Sequence, residues 1–268
     1  MDDVARRGVV LLGCGKMGTA LLAGWLDGGL PPASVWVVEP SPSPWLIETG
    51  VHLNAGLPVS PAVCLLAVKP QMMGAALPSL VALGNGSTVF LSIAAGTRIA
   101  TLARTLGEAT PIVRAMPNTP AMVGRGISAL AAGPGVTPAQ MALCEALLAA
   151  VGEVVRLPGE QQIDAVTAVS GSGPAYVFHL IEAMAAAGVA EGLDPDTAMR
   201  LARATVSGAG ELARRSQDSA EQLRINVTSP GGTTAAALRV LMDPDAGLTR
   251  MVRQAVRAAA ERGRELGA

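Results

Sequence analysis

The chain has 268 residues and a net charge of −1; half of the residues are hydrophobic and only 15% are charged. That balance argues against a polyanion such as nucleic acid as a partner, and the length allows one large domain or two small ones. Aromatic residues make up 2%, so Ala, Leu, Val and Gly must fill the core.

The opening residues, MDDVARRGVV, begin acidic and lack the apolar region of a signal peptide. No uninterrupted apolar run reaches membrane-spanning length, so no membrane partner is expected. Cys14, Cys64 and Cys144 are odd in number, far apart and without a CxxC pattern. They argue against a disulfide framework or a zinc site and point to a cytoplasmic location. Three small buried hydrophobes is their expected role.

GVVLLG (Gly8 to Gly13) is a short apolar run, read as a buried strand. MGTALLAGWLDGGL follows with helical spacing and ends in Gly28 and Gly29. Further strands are predicted at Ser34 to Glu39, Ala62 to Pro70, Ser87 to Gly96 and Pro111 to Pro117, with a helix over Thr97 to Gly107. This βαβ rhythm predicts an α/β fold with a parallel sheet covered by helices. GISALAAG (Gly126 to Gly133) comes too soon after the preceding strand for a crossover helix, so those two strands should run antiparallel. The helix PAQMALCEALLAAVG and a last strand, Glu153 to Pro158, complete the first unit.

From Gln161 onward the pattern is helical only. DPDTAMRLARATVSGAGELARR starts with Asp194 as N-cap and Pro195 at the first helical position. VTSPGGTTAAAL (Val227 to Leu238) breaks one helix and opens another, with free N–H groups and hydroxyl caps expected at an anion-binding end. An Arg-rich helix begins near Leu248. The boundary is placed near Pro158 and Gly159, giving units 1–158 and 159–268. The second unit is small and unusually apolar, and burial against a second subunit is the usual remedy.

GCGKMG (Gly13 to Gly18) matches G-x-G-x-x-G between a predicted strand and a predicted helix. Gly13 makes the tight turn, Gly15 admits a pyrophosphate and Gly18 lets helix and strand pack closely, which points to dinucleotide binding. Cys14, Lys16 and Met17 fill the rest of that loop. Glu39 ends the second strand, where an acid accepts from the ribose 2′-OH of NADH and repels the 2′-phosphate of NADPH. The alternatives are a strand-end acid facing solvent, or phosphate binding by Ser41 and Ser43, which leaves NADPH open. AVKPQ, with Ala67, Val68, Lys69 and Pro70, ends the third strand at the ligand edge of the sheet. SIAAGT and MPNTP end the next two strands, and Asn118 is placed to orient a nicotinamide or a polar substrate group. His52, assigned to a loop, and His179, on an apolar helix and read as a satisfied core or interface residue, do not look catalytic. No metal-ligand spacing, serine triad or carboxylate pair stands out.

GCGKMG, AVKPQ, SIAAGT, VRAMPNTP, SGSGPAYVF and VTSPGGTTAAAL, in that order from about Gly8 to Arg257, closely resemble the Δ1-pyrroline-5-carboxylate reductases. The resemblance implies NAD(P)H-dependent reduction of a cyclic imine to L-proline, the last step of proline biosynthesis. It implies a Rossmann domain followed by a helical domain that forms an intertwined homodimer, in some members assembled into a decamer. Carried over, Gly232, Thr233 and Thr234 bind the substrate carboxylate through N–H groups, and the Thr234 hydroxyl approaches the ring nitrogen as the catalytic contact. Gly13 to Gly18 and Ala67 to Pro70 bind the cofactor. Many members carry Ser, Thr or Asn where this chain has Glu39, which puts their usual NADPH preference in question here. Two other readings remain. A β-hydroxyacid dehydrogenase shares GxGxMG but needs a lysine in its helical unit, and this chain has none after Lys69. A non-catalytic dinucleotide sensor would have no need of an intact SPGGTT loop.

Overall fold

Residues 2–267 are described in a computed structural model. After a short helix α1 (Asp2–Arg7), the first unit alternates β1 (Val9–Leu12), α2 (Lys16–Asp27), β2 (Val35–Val38), α3 (Pro44–Glu48), β3 (His52–Leu53), β4 (Val63–Leu66), α4 (Pro70–Ala76), β5 (Val89–Ser92), α5 (Ile99–Leu106) and β6 (Ile112–Met116). Then come β7 (Gly126–Ala132), α6 (Pro138–Ala149), β8 (Gly152–Arg156) and the four-residue helix α7 (Ile163–Val166). The remaining helices are α8 (Gly173–Ala190), α9 (Pro195–Arg215), α10 (Ala220–Asn226), α11 (Thr233–Leu241) and α12 (Leu248–Leu266).

The eight strands form one sheet in the order β3-β2-β1-β4-β5-β6-β7-β8. The residues of β1, β4 and β5 are buried throughout, as expected for parallel strands covered on both faces. Pairing is parallel from β3 through β6, antiparallel between β6 and β7, and parallel again between β7 and β8. The short connection between β6 and β7 thus does reverse the chain. Chain order reverses direction between β1 and β4, and in open α/β sheets the crevice at such a switch receives the ligand.

Two apolar layers flank the sheet. Leu21, Leu22, Trp25, Leu147 and Leu148 lie in one; Met73, Leu80, Phe90, Leu102 and Leu106 lie in the other. Trp25 is fully buried, and its indole N–H donates to the Leu147 carbonyl at 2.8 Å. Trp36 stacks on His52 with ring centroids 4.4 Å apart. His52 therefore belongs to an edge strand, not to the loop the sequence suggested, and its Nε2 lies 3.0 Å from the Ala33 carbonyl. A two-residue strand carries too little alternation to be read from sequence.

Packing divides the chain into two units. One holds residues up to Gly171 together with those from Ala259 onward, and the other is Ser172–Ala258. Within the second, α8 packs along α9. Gly188 permits that approach, since a Cβ there would meet the Ala198 Cβ at 3.3 Å. Asp194 caps α9 as expected, accepting from the Thr197 N–H at 3.0 Å. The only buried apolar side chains described in this unit are Ala185, Ala198 and Ala202, while Phe178 is 60% and Val240 73% exposed. His179 is exposed rather than in a core, and its Nδ1 lies 3.1 Å from Glu182 Oε2. The helical stretch Glu160–Ala190 is long and apolar enough to cross a membrane by length and composition alone, but Asp164, Ser170, His179 and Glu182 interrupt it, so it is not an uninterrupted apolar run. That stretch is not one regular helix. A π-helical turn, Thr167–Gly171, interrupts it just before the Ser-Gly pair that opens α8.

Candidate functional site

The glycine loop lies between β1 and α2. Gly13 has φ +88°, and a Cβ there would stand 2.8 Å from Val68 Cγ1. A Cβ on Gly18 would stand 2.5 Å from the Gly13 carbonyl oxygen. Gly15 is different: a Cβ there would meet nothing within 4 Å. Two glycines thus serve packing, and the third keeps open space above the loop. Gly15 is also the N-cap of α2, where no side chain caps the helix. The first-turn N–H groups around Lys16 and Met17 are left for an anion from outside the chain. This uncapped cradle fits a pyrophosphate.

Glu39 reaches the same loop. Its Oε2 accepts from the Cys14 N–H at 2.8 Å, and its Oε1 accepts from the Ser41 N–H at 3.0 Å. Asn54, at φ +51°, braces the Glu39 backbone from both sides. Its Oδ1 accepts from the Glu39 N–H, and its Nδ2 donates to the Glu39 carbonyl, each at 2.9 Å. Ser43 has a second use. It caps α3 by accepting from the Leu46 N–H at 3.2 Å. Burial, partly offset by Thr19 and supported by the Glu39 charge, raises the Cys14 thiol above its ordinary range.

The next strand ends complete the wall. Lys69 is the exposed N-cap of α4, with Pro70 at its first position. A cleft of about 230 Å³ is lined by Met17, Ala67 to Pro70, Ile93 to Ala95, Met116 and Pro117. The ends of β4, β5 and β6 therefore meet the start of α2, as the turn-rich strand ends suggested. Asn118 donates to Ser170 Oγ at 3.2 Å and accepts from the Ile127 N–H at 2.9 Å. Its amide holds the β6–β7 loop against β7 and the π-helical turn.

Sequence reasoning did not single out the polar group behind this wall. Arg114, on β6, is 3% exposed; its Nη1 lies 3.3 Å from Glu160 Oε2 and its Nη2 3.9 Å from Asp164 Oδ1. Glu160 Oε2 also accepts from the Ile99 N–H at the start of α5, at 3.1 Å. An arginine inside the apolar run PIVRAMP was the available signal, because a buried cation demands a partner. The acidic pair four residues apart, Glu160 and Asp164, was the other half of it.

In the second unit, Gly231 has φ +71° and Gly232 is the N-cap of α11. The expected hydroxyl cap is absent there: Thr233 and Thr234 lie inside the first turn, and no side chain caps the end. A threonine already in helical conformation cannot fold back on its own turn as a cap does. The N–H groups at this end are accordingly free of side-chain caps. Among the described residues, no three of His, Cys, Asp and Glu converge as a metal ion would require.

Comparison with known proteins agrees with this layout. Residues 160–266 match the family model described as pyrroline-5-carboxylate reductase dimerisation, and residues 8–96 match NADP oxidoreductase coenzyme F420-dependent. The pyrroline-5-carboxylate reductase of Pseudomonas aeruginosa is 40% identical over 264 residues, covering 96% of each chain. A solved pyrroline-5-carboxylate reductase from Coxiella burnetii superposes with a TM-score of 0.91 at 35% identity, covering 98% of this chain and 99% of the other. The Plasmodium falciparum pyrroline carboxylate reductase, solved with NADP bound, gives 0.82 at 28% identity, covering 98% and 99%. A Rossmann-type unit with an open glycine cradle, a helical dimerisation segment and matches of this length lead to one conclusion: the chain belongs to the pyrroline-5-carboxylate reductase family.

Proposed function

We propose that this chain reduces Δ1-pyrroline-5-carboxylate to L-proline with NADPH or NADH, as the last step of proline biosynthesis. The similarity to a reductase along 96% of both chains carries the reading. The uncapped α2 N-terminus and the Gly15 opening support it as the place for the cofactor pyrophosphate. Gly13, Cys14, Gly15, Lys16, Met17, Gly18, Glu39, Ala67 to Pro70 and Asn118 are the cofactor residues in this reading.

When bound, the reduced nicotinamide supplies hydride to the imine carbon. Gly232, Thr233 and Thr234 hold the substrate carboxylate with the N–H groups of the α11 end, where the helix dipole adds positive potential. The Thr234 hydroxyl contacts the ring nitrogen and helps keep it protonated. A protonated imine is easily reduced, so alignment supplies much of the rate and a strong general acid is not required.

We read residues 159–268 as the functional dimerisation and substrate domain; the family model starting at 160 supports this. The exposed apolar side chains of α8 support a homodimer, and the family resemblance favours a decamer as the higher assembly. Three free cysteines support a cytoplasmic location, and the near-neutral charge supports neither nucleic acid nor membrane as a partner.

Loss of reduced-nicotinamide absorbance with pyrroline-5-carboxylate tests the activity. Protein that binds nicotinamide dinucleotide yet oxidises none of it would overturn the reading. Thr234→Ala should weaken turnover and substrate binding and leave cofactor binding intact; unchanged kinetics would remove Thr234 from the mechanism.

A further inference from the structure

We propose that Glu39 makes this chain select NADH over NADPH, by accepting from the adenosine ribose hydroxyls and excluding a 2′-phosphate. The proposal rests on the cofactor reading above and adds which dinucleotide is taken and why. Four observations carry it.

The Glu39 carboxylate is fixed at the glycine loop. One oxygen is anchored by the Cys14 N–H and the other by the Ser41 N–H. An ionised carboxylate has about four acceptor positions, so each oxygen retains capacity for one hydroxyl of a ribose diol. The backbone beneath is held by Asn54 on both its N–H and its carbonyl. The side chain is therefore positioned by the fold and has no need of the ligand to order it.

Among the described residues Glu39 has no ion-pair partner, and Pro40 to Ile47 include neither Arg nor Lys. A 2′-phosphate would bring a second anion beside it. The donors at hand for that phosphate are weak. The Ser41 N–H serves Glu39, and the Ser43 oxygen accepts at the α3 cap, which leaves its O–H beside that of Ser41. Two neutral hydroxyls cannot neutralise two negative charges.

The expected discrimination follows from one charge-assisted hydrogen bond gained with NADH and lost with NADPH, about tenfold to a hundredfold in Kd. Phosphate–carboxylate repulsion acts in the same direction.

The test titrates the full chain, without imine substrate, with NADH and NADPH by nicotinamide fluorescence and calorimetry. ADP-ribose and its 2′-phosphorylated analogue are run in parallel, so that the adenosine end is read by itself. NADH and ADP-ribose should bind about tenfold or more tighter than their phosphorylated counterparts. Glu39→Gln keeps an acceptor for the Cys14 N–H and removes the charge. It should narrow the gap by weakening NADH and strengthening NADPH. Equal or tighter NADPH binding by the unmodified chain overturns the proposal, whether or not the variant folds. An unchanged gap in a folded Glu39→Gln protein overturns it too. Because no imine is present, selective NADH binding without proline formation would sink the reductase reading and leave this one standing.

Discussion

Gly15 and Gly18 differ by three positions and should fail in opposite ways when each is changed to alanine. At Gly18 the added Cβ lies 2.5 Å from the Gly13 carbonyl oxygen, a backbone atom in a turn at φ +88°. Ordinary contact begins near 3.4 Å, so α2 and the loop must separate by most of an ångström. Overpacking of this kind costs about 1–3 kcal/mol, which for a unit of this size lowers Tm by roughly 2–4 °C per kcal/mol. At Gly15 the Cβ meets nothing within 4 Å and φ is −69°, so Gly15→Ala should stay within about 0.5 kcal/mol of the parent in stability. Its methyl instead occupies the approach of the pyrophosphate. Loss of one charge-assisted hydrogen bond there weakens dinucleotide binding about tenfold to a hundredfold. Thermal unfolding without ligand, paired with NADH titration, separates the two effects. A Gly15→Ala protein that binds dinucleotide like the parent would refute the reading of the open cradle. A Gly18→Ala protein with unchanged Tm would refute the reading of the tight one.

Arg114→Met should destabilise the first unit by about 3 kcal/mol, the low end for a broken buried pair because Glu160 and Asp164 keep some water. Urea unfolding checks this, and adding Glu160→Gln should recover part of the loss; a fully stable single variant would show that the cluster contributes nothing net. Burial pushes the Cys144 thiol up to about 12 and that of Cys64 well above the ordinary range. A thiol reagent at pH 8 should therefore modify Cys14 slowly, more slowly still with dinucleotide bound, and reach the other two only on unfolding. Rapid reaction of Cys64 in the folded protein would contradict that. Hydrogen bonds from Arg214 and Arg215 hold the Glu211 carboxyl at about 2, below its ordinary 4.5. A depressed folded value means the local stabilisation is present above 4.5 and fades as pH falls toward 2. A carboxyl NMR titration with its midpoint near 4.5 would exclude the pairing.

The central strands were legible because parallel strands buried on both faces read as short apolar runs, as in GVVLLG and AVCLLAVKP. The reversal at β6–β7 was legible from loop length alone. The glycine loop was readable down to the separate geometries of Gly13, Gly15 and Gly18, turned, open and tightly packed, since each follows from spacing between a strand and a helix. What stayed hidden is long-range or lies between competing uses of one side chain. Arg114 meets Glu160 across 46 residues, and Asn118 meets Ser170 across 52. Ser43 was readable as a phosphate contact, but its oxygen's part in capping α3 was not singled out. The threonines of SPGGTT looked like caps because Thr is common at that position, but the helix begins one residue earlier, at a glycine cap.

The placement of the aromatic residues has a practical consequence. Trp25, Trp36 and Trp45 all lie in the sheet-containing unit, and Tyr176, the only tyrosine, lies in the helical one. Emission excited at the red edge, where only indole absorbs, reports the sheet-containing unit alone, and the buried Trp25 should shift to longer wavelength when that unit opens. Tyr176 gives no separate signal, because its phenol absorbance lies under that of the three indoles. The protein thus carries a built-in optical reporter for the sheet-containing unit, so the melting of that unit can be followed by itself without introducing a label.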